Sequence, residues 1–513
     1  MSARDLILTL YYATLGVLAI YGLHRALLLA LYRRHRLAPA PPAAPARWPR
    51  VTVQLPLYNE LYVAPRLLEA ACRLDYPREL LEIQVLDDSD DETSTVLALL
   101  TARWRARGVD VLHLRRAERT GYKAGALAAG LETATGELIA VFDADFVPPP
   151  GFLRAALPWF AKRRVGMVQT RWEHLNRRQS LLTRVQAMLL DGHFLIEHTA
   201  RQRSGRLWNF NGTAGVWRRD ALIDAGGWQH DTLTEDLDLS YRAQLRGWRF
   251  VYLPDVAVPS ELPASIAALK TQQYRWAKGS IQTARKLLGS VLASTEPWWS
   301  KLEACIHLSA NGTYLLMVLL AMLVFPAMLA RRDGEQWKLL AIDLPLFAGA
   351  TASIVAYYLE SQRISPRGER RPLRLLPALF GLGIGLSLNN ARAVVSGLGR
   401  RGGAFVRTPK YRDGERGRPR RNTIYRAAAS PTVALEAAFA IYFLIAVAAA
   451  VRLGMWLTVP FLALFLNGYG WVSLLTWSEW RRRSGAGAGR RTADDRGIAA
   501  RAAAAAGAHA GPE

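Results

Sequence analysis

The sequence predicts two kinds of structure in one chain: an α/β domain with a largely parallel sheet, and a set of membrane-spanning helices. Short apolar runs alternate with helical patterns between residues 51 and 260, which indicates strand–helix repeats. Outside this region, apolar runs reach the roughly 20 residues needed to cross a bilayer. The chain carries a formal net charge of +24. Its basic residues cluster beside the apolar runs, so we expect a lipid bilayer rather than nucleic acid as the partner.

Residues 1–36 predict an N-terminal transmembrane helix. The apolar run 6–31 is followed by Arg33, Arg34 and Arg36, which places that end in the cytosol by the positive-inside rule. No small-residue cleavage site of a signal peptide follows it. The next segment, 37–50, predicts a stiff linker because it is rich in Pro and Ala.

Two further pairs of transmembrane helices are predicted, in residues 301–360 and 433–480. Arginine-rich loops flank the run 373–398 on both sides, so both loops are expected to be cytosolic. The run between them should then not cross, and we expect an interfacial or re-entrant helix within 361–432. That leaves five crossings. The tail, 481–513, lacks the varied apolar residues of a core and predicts disorder.

Within the α/β domain, the apolar runs predict strands and the longer periodic runs between them predict helices. Ligands of such sheets bind at the carboxyl ends of the strands, where acidic clusters occur in this sequence. Residues 261–300 predict helices on the membrane surface that join the domain to the spans. The predicted strands are 51–57, 83–86, 138–142, 165–170 and 249–253, and the predicted helices are 62–73, 92–107 and 122–134.

Asp143 and Asp145 follow the predicted strand 138–142. Two carboxylates at alternate positions of a strand exit can reach one hard cation and its bound diphosphate, which indicates Mg²⁺ or Mn²⁺. Taken alone, the pair is also compatible with a solvated turn. The two cysteines are far apart and form no zinc pattern. We expect His193 and His198 to be ordinary polar or packing residues rather than metal ligands.

Other motifs allow both a functional and a structural interpretation. Asp87 and Asp88 end a strand, where they could accept hydrogen bonds from a base or ribose, or form a solvated loop. Lys123 lies near a helix start, where it suits a phosphate, although the stretch taken alone is better explained as an ordinary Gly-rich helix start. Glu235 and Asp236 begin a helix, where acids complement the helix dipole. Asp236 could instead be a general base that takes a proton from a sugar hydroxyl.

The QxxRW pattern of Gln272, Arg275 and Trp276 lies on a predicted surface helix. Arg275 could hold a diphosphate and Trp276 could stack on a sugar ring. An amphipathic helix with aromatic residues at the membrane interface would show the same sequence pattern. The motifs occur in one order along one α/β domain that is followed by spans. That order favours the functional interpretation.

Several stretches together resemble family 2 glycosyltransferases of the cellulose synthase superfamily. They are closest to the cellulose synthase-like A group, the β-mannan and glucomannan synthases, and their bacterial relatives. The resemblance implies a cytosolic GT-A (Rossmann-like) catalytic domain and an inverting transfer of hexose from a nucleotide-sugar. The stretches are QLPLYNE (54–60), LDDSDDET (86–93), GYKAGAL (121–127), FDADF (142–146), FNGTAGVWRR (210–219), TEDLDLSYRAQLRGWRF (234–250) and QQYRWAKGS (272–280).

The resemblance also implies roles for individual residues of this chain. Those expected to contact the nucleotide-sugar are Tyr58, Glu60, Asp87, Asp88, Lys123 and Asp143. Asp143 and Asp145 would bind Mg²⁺ or Mn²⁺, and Asp236, with Glu235 beside it, would supply the catalytic base. Donor and acceptor would be enclosed by Phe210, Asn211, Gly212, Thr213, Gln272, Arg275 and Trp276. A gating loop would include Phe405, Thr408 and Lys410, with Arg407 where the family pattern has Val.

The expected product is a β-linked polysaccharide, extended from GDP-mannose or UDP-glucose at the plasma (inner) membrane and exported through the spans. Two alternatives stay open. A ceramide- or diacylglycerol-type enzyme would glycosylate a lipid acceptor instead of a glycan. A transporter or scaffold with a degenerate sugar-nucleotide fold would do no chemistry, although the intact acidic motifs argue against it.

Overall fold

The computed structural model describes residues 2–331, 339–399, 406–408, 410 and 431–484. The strands are β1 (Val51–Leu57), β2 (Leu81–Asp87), β3 (Val111–Arg115), β4 (Leu138–Val141), β5 (Val165–His174), β6 (Gly215–Arg218) and β7 (Arg249–Ser260). Helix α1 (Ala3–His35) precedes the α/β domain. The helices within the domain are α2 (Ala64–Cys72), α3 (Thr93–Ala106), α4 (Tyr122–Thr133), α5 (Phe152–Ala156), α6 (Leu181–Asp191), α7 (Thr199–Arg203), α8 (Arg219–Asp224) and α9 (Glu235–Leu245). A π-helical segment, Gly192–His198, joins α6 to α7.

The helices after the domain are α10 (Ile266–Ala293), α11 (Trp298–Ser309), α12 (Thr313–Ala330), α13 (Leu344–Ile364), α14 (Leu376–Gly385), α15 (Ser387–Leu398), α16 (Val433–Arg452) and α17 (Val459–Ser484). Helix α17 extends past residue 481, where the sequence predicted that a disordered tail begins. The rest of the predicted tail and the predicted gating residue at 405 lie outside the described residues.

The five predicted strands are all present, and three of them are longer than predicted. β5 continues to His174 and β7 to Ser260, beyond the apolar runs by which the sequence marked them. β3 and β6 were not predicted. Both are short and contain arginine, so their apolar content is too low to mark them in the sequence.

All seven strands form one mixed sheet in the order β3-β2-β1-β4-β6-β5-β7. Only β6 runs antiparallel to its neighbours, β4 and β5, while the other pairs are parallel. The other six strands therefore point the same way, and their carboxyl ends lie along one edge. Because β6 is antiparallel, the segment that precedes it begins at this same edge. Ala214 holds it there: its backbone N–H donates a hydrogen bond to β4 and its C=O accepts one from β5. The order thus brings residues 210–214 to the acidic strand ends.

Apolar side chains cover both faces of the sheet, as expected for largely parallel sheets. On one face Val53, Leu55 and Ile83 pack with α2, α3 and α5. On the other face Ile139 and Trp217 pack with α4, α8 and α9. The two layers fix the helices whose first turns carry Lys123 and Asp236 at the sheet edge.

Within the described residues, six helical stretches are long and apolar enough to cross a membrane: Ala3–His35, Trp298–Ala330, Ala341–Ile364, Pro372–Leu398, Val433–Arg452 and Val459–Arg481. The sequence predicts five crossings, with the fourth stretch at the interface. That stretch has 72% of its apolar window buried within the protein, against 22–33% for the others. It is also divided at Leu386 between α14 and α15. That it does not cross stays a prediction.

Helix α10 connects the sheet domain to the membrane helices. It packs against α9, α11, α15 and α17. The buried ammonium group of Lys270 lies 2.7 Å from a carboxylate oxygen of Glu436 on α16 and 2.8 Å from the hydroxyl of Thr476 on α17. Because an isolated charge would not be stable at this depth, the pair holds α10 in one register. The helix therefore carries its QxxRW residues to a defined position over the sheet edge.

Candidate active site

One polar cleft lies at the carboxyl edge of the sheet, beneath α10. It encloses about 1250 Å³, counting the solvent space of its open mouth. Most of the residues predicted from the sequence line it: Tyr58, Glu60, Asp88, Lys123, Asp143, Asp145, Asn211, Gly212, Glu235, Asp236, Gln272, Arg275, Trp276, Thr408 and Lys410. Asp87, Phe210 and Thr213 lie behind its walls.

The two aspartates after β4 are each paired with a lysine. Asp143 has a carboxylate oxygen 2.5 Å from the ammonium nitrogen of Lys123. Asp145 has one 2.7 Å from the ammonium nitrogen of Lys410, and the same oxygen accepts a hydrogen bond from the backbone N–H of Glu261 at 3.1 Å. The Lys410 ammonium also donates to the carbonyl oxygen of Glu261. A cationic group thus already occupies a position bounded by a carboxylate and a carbonyl oxygen.

This donor set fits a hard divalent cation. Oxygen ligands suit Mg²⁺ and Mn²⁺, and Mg²⁺ is usually held by one or two carboxylates with substrate phosphates completing its shell. Among the residues the structure describes, no cluster of three His, Cys, Asp or Glu could hold a metal without such a substrate. Asp143 and Asp145 would therefore hold a cation together with a diphosphate, and the cation would displace the two ammonium groups.

Asp236 lies at the start of α9, opposite the aspartate pair. Burial and the negative charge of Glu235 raise the pKa of Asp236 to about 7, although the charge of Lys123 and the backbone N–H of Leu237 act against them. Glu235 is 4.0 Å from the ammonium group of Lys123. A carboxylate with this pKa can accept a proton near neutral pH, as a general base requires.

The segment 210–213 contacts both sides of the cleft. Its carbonyl at Gly212 accepts a hydrogen bond from Lys123 at 3.0 Å, and the Thr213 hydroxyl accepts one from the backbone N–H of Asp143 at 2.8 Å. Phe210 is buried against tryptophans of the core, so it anchors the segment and does not line the cleft. The segment therefore lies between the aspartate pair and Asp236 and contacts the groups on both sides.

Gly212 has a φ of +80°, and a Cβ built on it would lie 2.9 Å from a carboxylate oxygen of Asp236. We expect Gly212→Ala to reduce any reaction that uses Asp236, because the added methyl group displaces this carboxylate. Gly205→Ala is a matched control: its φ is +74°, and nothing lies within 4 Å of the added Cβ. Both variants carry a similar backbone penalty of roughly 1–2 kcal/mol.

The two alanine variants should therefore show a similar decrease in thermal midpoint, measured in parallel with turnover, and only Gly212→Ala should lose turnover. Equal losses of turnover would mean that backbone strain, and not the contact with Asp236, is responsible.

The other end of the cleft is formed by the loops after β1 and β2. Asp88 makes a bidentate pair with Arg116, with contacts of 2.9 and 2.6 Å. The Arg119 guanidinium lies 3.3 Å from the ring centre of Tyr58. Asp87 is 1% exposed and accepts hydrogen bonds from His113 and the backbone N–H of Ser89. It therefore supports the loop from beneath rather than facing a ligand.

Glu60, in the loop after β1, lies deeper in the cleft and close to the aspartate pair. Burial and the nearby Asp145 raise the pKa of Glu60 to about 8, opposed by the positive charge of Arg407 and Lys410. The Arg407 guanidinium is 3.3 Å from a carboxylate oxygen of Glu60 and donates to the carbonyl of Tyr58. Arg407, which stands where the family pattern of the gating loop has Val, thus contacts two residues of the cleft.

Gln272, Arg275 and Trp276 line the cleft from the α10 side. The negative charges of four side chains raise the pKa of Arg275: those of Glu235, Asp143, Asp236 and Asp145. Burial has the larger effect and lowers the pKa of Arg275 overall. A guanidinium in this position remains positively charged and can pair with a diphosphate in a bidentate manner.

The sequence analysis missed several residues of the cleft wall, among them Arg119, Trp172, His174 and Glu261. Trp172 and His174 belong to the last residues of β5, and Glu261 follows β7. The available signal was the rule that ligands bind at the carboxyl ends of such strands, but the predicted ends of β5 and β7 came too early in the chain.

The mixed sheet, the aspartate pair at the exit of β4 and the cleft beneath α10 define a GT-A-type α/β domain. Residues 49–279 match the family model described as "Glycosyltransferase like family 2". These residues are therefore a family 2 glycosyltransferase domain.

Curated relatives include a probable glucomannan 4-beta-mannosyltransferase 7 of Oryza sativa subsp. japonica, 44% identical over 254 residues (48% of this chain, 43% of the relative). Glucomannan 4-beta-mannosyltransferase 7 of Arabidopsis thaliana is 36% identical over 362 residues (69% of this chain, 63% of the relative). The chain thus spans less than two thirds of the length of these relatives.

Among solved structures, a mannosyltransferase from Pyrobaculum calidifontis in complex with GDP-Man and Mn²⁺ matches with a TM-score of 0.51 and 23% identity, covering 76% of this chain and 99% of that one. At this identity the match supports the fold of the α/β domain.

Proposed function

We propose that the protein is a membrane-bound inverting glycosyltransferase that transfers a hexose from a nucleotide-sugar to a growing β-linked polysaccharide. The observation that carries the proposal is the convergence of three carboxylates, Asp143, Asp145 and Asp236, on one cleft with Lys123 between them. A divalent cation held by the first two would bind the diphosphate of the donor, whose sugar would then face the third. Named relatives that transfer mannose favour GDP-mannose as the donor, with UDP-glucose as the second candidate.

The reaction follows from the charges around the cleft. An acceptor hydroxyl attacks the anomeric carbon, its proton passes to Asp236, and the bond from that carbon to the phosphate oxygen breaks. The electron pair leaves with the nucleoside diphosphate, where Lys123 and Arg275 stabilise the growing negative charge. A bound Mg²⁺ or Mn²⁺ would add Lewis-acid stabilisation of the same charge. One displacement inverts the configuration, so an α-linked donor gives a β-linked product.

The membrane arrangement is part of the proposal. We place the α/β domain in the cytosol beneath a plasma (inner) membrane, with α14 and α15 at the interface because their apolar residues are buried against protein. The exposed Trp298 and Trp299 begin α11 near the membrane surface, where such side chains are common. If the product is a polymer, the surrounding helices would form its exit path.

The test is a donor screen on the purified full-length protein in lipid nanodiscs. GDP-mannose and UDP-glucose are supplied separately with Mn²⁺, and the products are analysed by size, linkage and anomeric configuration. A β-linked glycan of many residues supports the proposal. A product that extracts into organic solvent would assign the chain to lipid glycosylation. The absence of sugar transfer from either donor would contradict the enzyme proposal.

A further inference from the structure

A chain of hydrogen bonds connects the first membrane helix to the wall of the cleft. Asn211 has its side-chain nitrogen 2.9 Å from Nε2 of His193. The other ring nitrogen of His193, Nδ1, lies 2.9 Å from a carboxylate oxygen of Glu197. Glu197 in turn pairs with Arg25 of α1 and with Arg201 of α7. A residue of the cleft wall is thus held by charges that lie outside the cleft.

The chemistry of these groups sets the direction of each hydrogen bond. The Asn211 amide nitrogen only donates, so Nε2 of His193 accepts, and the ring proton lies on Nδ1, which donates to Glu197. The amide oxygen of Asn211 accepts from Nε2 of His198 at 2.5 Å. Turning the amide over would leave an unprotonated Nδ1 of His193 against the Glu197 carboxylate. Glu197 therefore fixes the histidine, and the histidine fixes the amide.

Both histidines are neutral near pH 7, as this arrangement requires. Burial, together with the positive charge of Arg201, lowers the pKa of His193 well below its usual value. Burial lowers the pKa of His198 to about 3, against the hydrogen bond to Asn211. Neither ring therefore acquires a second proton that would turn the asparagine away.

The orientation of Asn211 matters because the next peptide contacts the reacting groups. Gly212 accepts a hydrogen bond from Lys123 through its carbonyl, and its α-carbon lies beside the Asp236 carboxylate. The backbone N–H of Asn211 donates to Gln169 of β5 at 3.0 Å, which ties the segment to the sheet. The side-chain contacts of Asn211 and its backbone contact with Gln169 thus hold this peptide from two sides, so loss of the side-chain contacts would loosen its position beside Lys123 and Asp236.

We propose that His193 is a positioning residue for sugar transfer: held by Glu197, it fixes Asn211 and thereby sets the segment 210–213 against Asp236 and the acceptor. One hydrogen of the Asn211 amide nitrogen is used by His193. Among the described residues the second hydrogen has no acceptor, and because Asn211 lines the cleft, it can bind a hydroxyl of the acceptor. The inference rests on the proposed function, since it assigns a role in that reaction to a residue outside the cleft.

The test compares His193→Phe with His193→Gln in the full-length protein. Phenylalanine retains the ring but makes neither hydrogen bond, whereas glutamine can accept from Asn211 and donate to Glu197. We expect His193→Phe to lower kcat by about 100-fold, the effect of a small misplacement in an active site, with nucleoside diphosphate affinity unchanged. His193→Gln should recover most of that loss. His307→Phe serves as a control, because this buried histidine bonds Tyr241 and not the cleft.

The outcomes separate this inference from the proposed function. Normal transfer by His193→Phe, or equal losses in the Phe and Gln variants, would overturn the positioning role while leaving the function intact. Loss of nucleotide affinity in parallel with transfer would indicate a general structural defect and would also overturn it. If the wild-type protein transfers no sugar, a structure of His193→Phe still decides the point: an unmoved Asn211 and an intact contact between Lys123 and Gly212 would contradict the inference.

Discussion

Asp236→Asn is expected to lower sugar transfer by about 100- to 10,000-fold, the usual contribution of a general base. Asparagine has nearly the same shape, so it preserves packing but cannot accept the proton of the acceptor hydroxyl. Binding of the nucleoside diphosphate should be retained, because the proposed phosphate contacts come from Lys123 and Arg275. Turnover with the donor identified in the screen, together with calorimetric binding of its nucleoside diphosphate, would measure both effects.

Two further variants sharpen this result. Glu235→Gln removes the neighbouring negative charge, so it should shift the pH dependence of transfer to lower pH but retain activity. Asp224→Asn is a control on the protein surface, where the carboxylate contacts Arg246 and Trp248. Near-normal turnover of Asp236→Asn, or a larger loss in Glu235→Gln, would show that Asp236 is not the base.

The same assignment predicts a pH profile. The pKa of Asp236 is raised to about 7, so the carboxylate is protonated and inactive below that pH and becomes competent above it. The kcat/KM for the acceptor should therefore rise about tenfold per pH unit below pH 7 and level off above it. In Gly212→Ala this rise should be displaced, because the added methyl group changes the surroundings of the carboxylate.

The sequence predicted most of the cleft because the motifs that line it lie at strand and helix ends, where local pattern is informative. Asp143, Asp145, Lys123 and Asp236 belong to such ends, and all four line one cleft. The position of β6 was not predictable in this way. Its four residues, Gly215–Arg218, are too few to show the alternation of apolar and polar residues that marks a strand. Yet this strand brings the segment 210–213 to the aspartates.

Contacts between distant parts of the chain were also not predictable from local pattern. His193 was expected to be an ordinary polar residue. Its significance depends on Asn211, eighteen positions away, and on Arg25 of the first membrane helix. Similarly, Lys410 was assigned to a gating loop by resemblance alone, and its contact with Asp145 spans 265 positions. Such pairs depend on tertiary packing, which neither hydropathy nor motif spacing encodes.

Removing the divalent cation is expected to reduce transfer by about 100-fold or more, because Lys123 and Arg275 alone would have to neutralise the leaving diphosphate. Asp145→Asn should have a similar effect, since it leaves one carboxylate for the cation. Treatment with EDTA followed by addition of Mn²⁺ should restore the wild type and not the variant. Mn²⁺ binding, followed by electron paramagnetic resonance in the presence of nucleoside diphosphate, gives a readout independent of turnover.

Asp75→Asn is the matched control for Asp145→Asn, because Asp75 is an exposed aspartate that pairs only with Arg154 among the described contacts. It should bind Mn²⁺ and transfer sugar as the wild type does. Full activity of the wild type in EDTA would contradict the metal assignment. It would mean that the ammonium groups of Lys123 and Lys410, which lie 2.5 and 2.7 Å from the two aspartates, are the permanent partners of these carboxylates. Transfer would then depend on lysine charge, and Lys123→Met, rather than chelation, would abolish it.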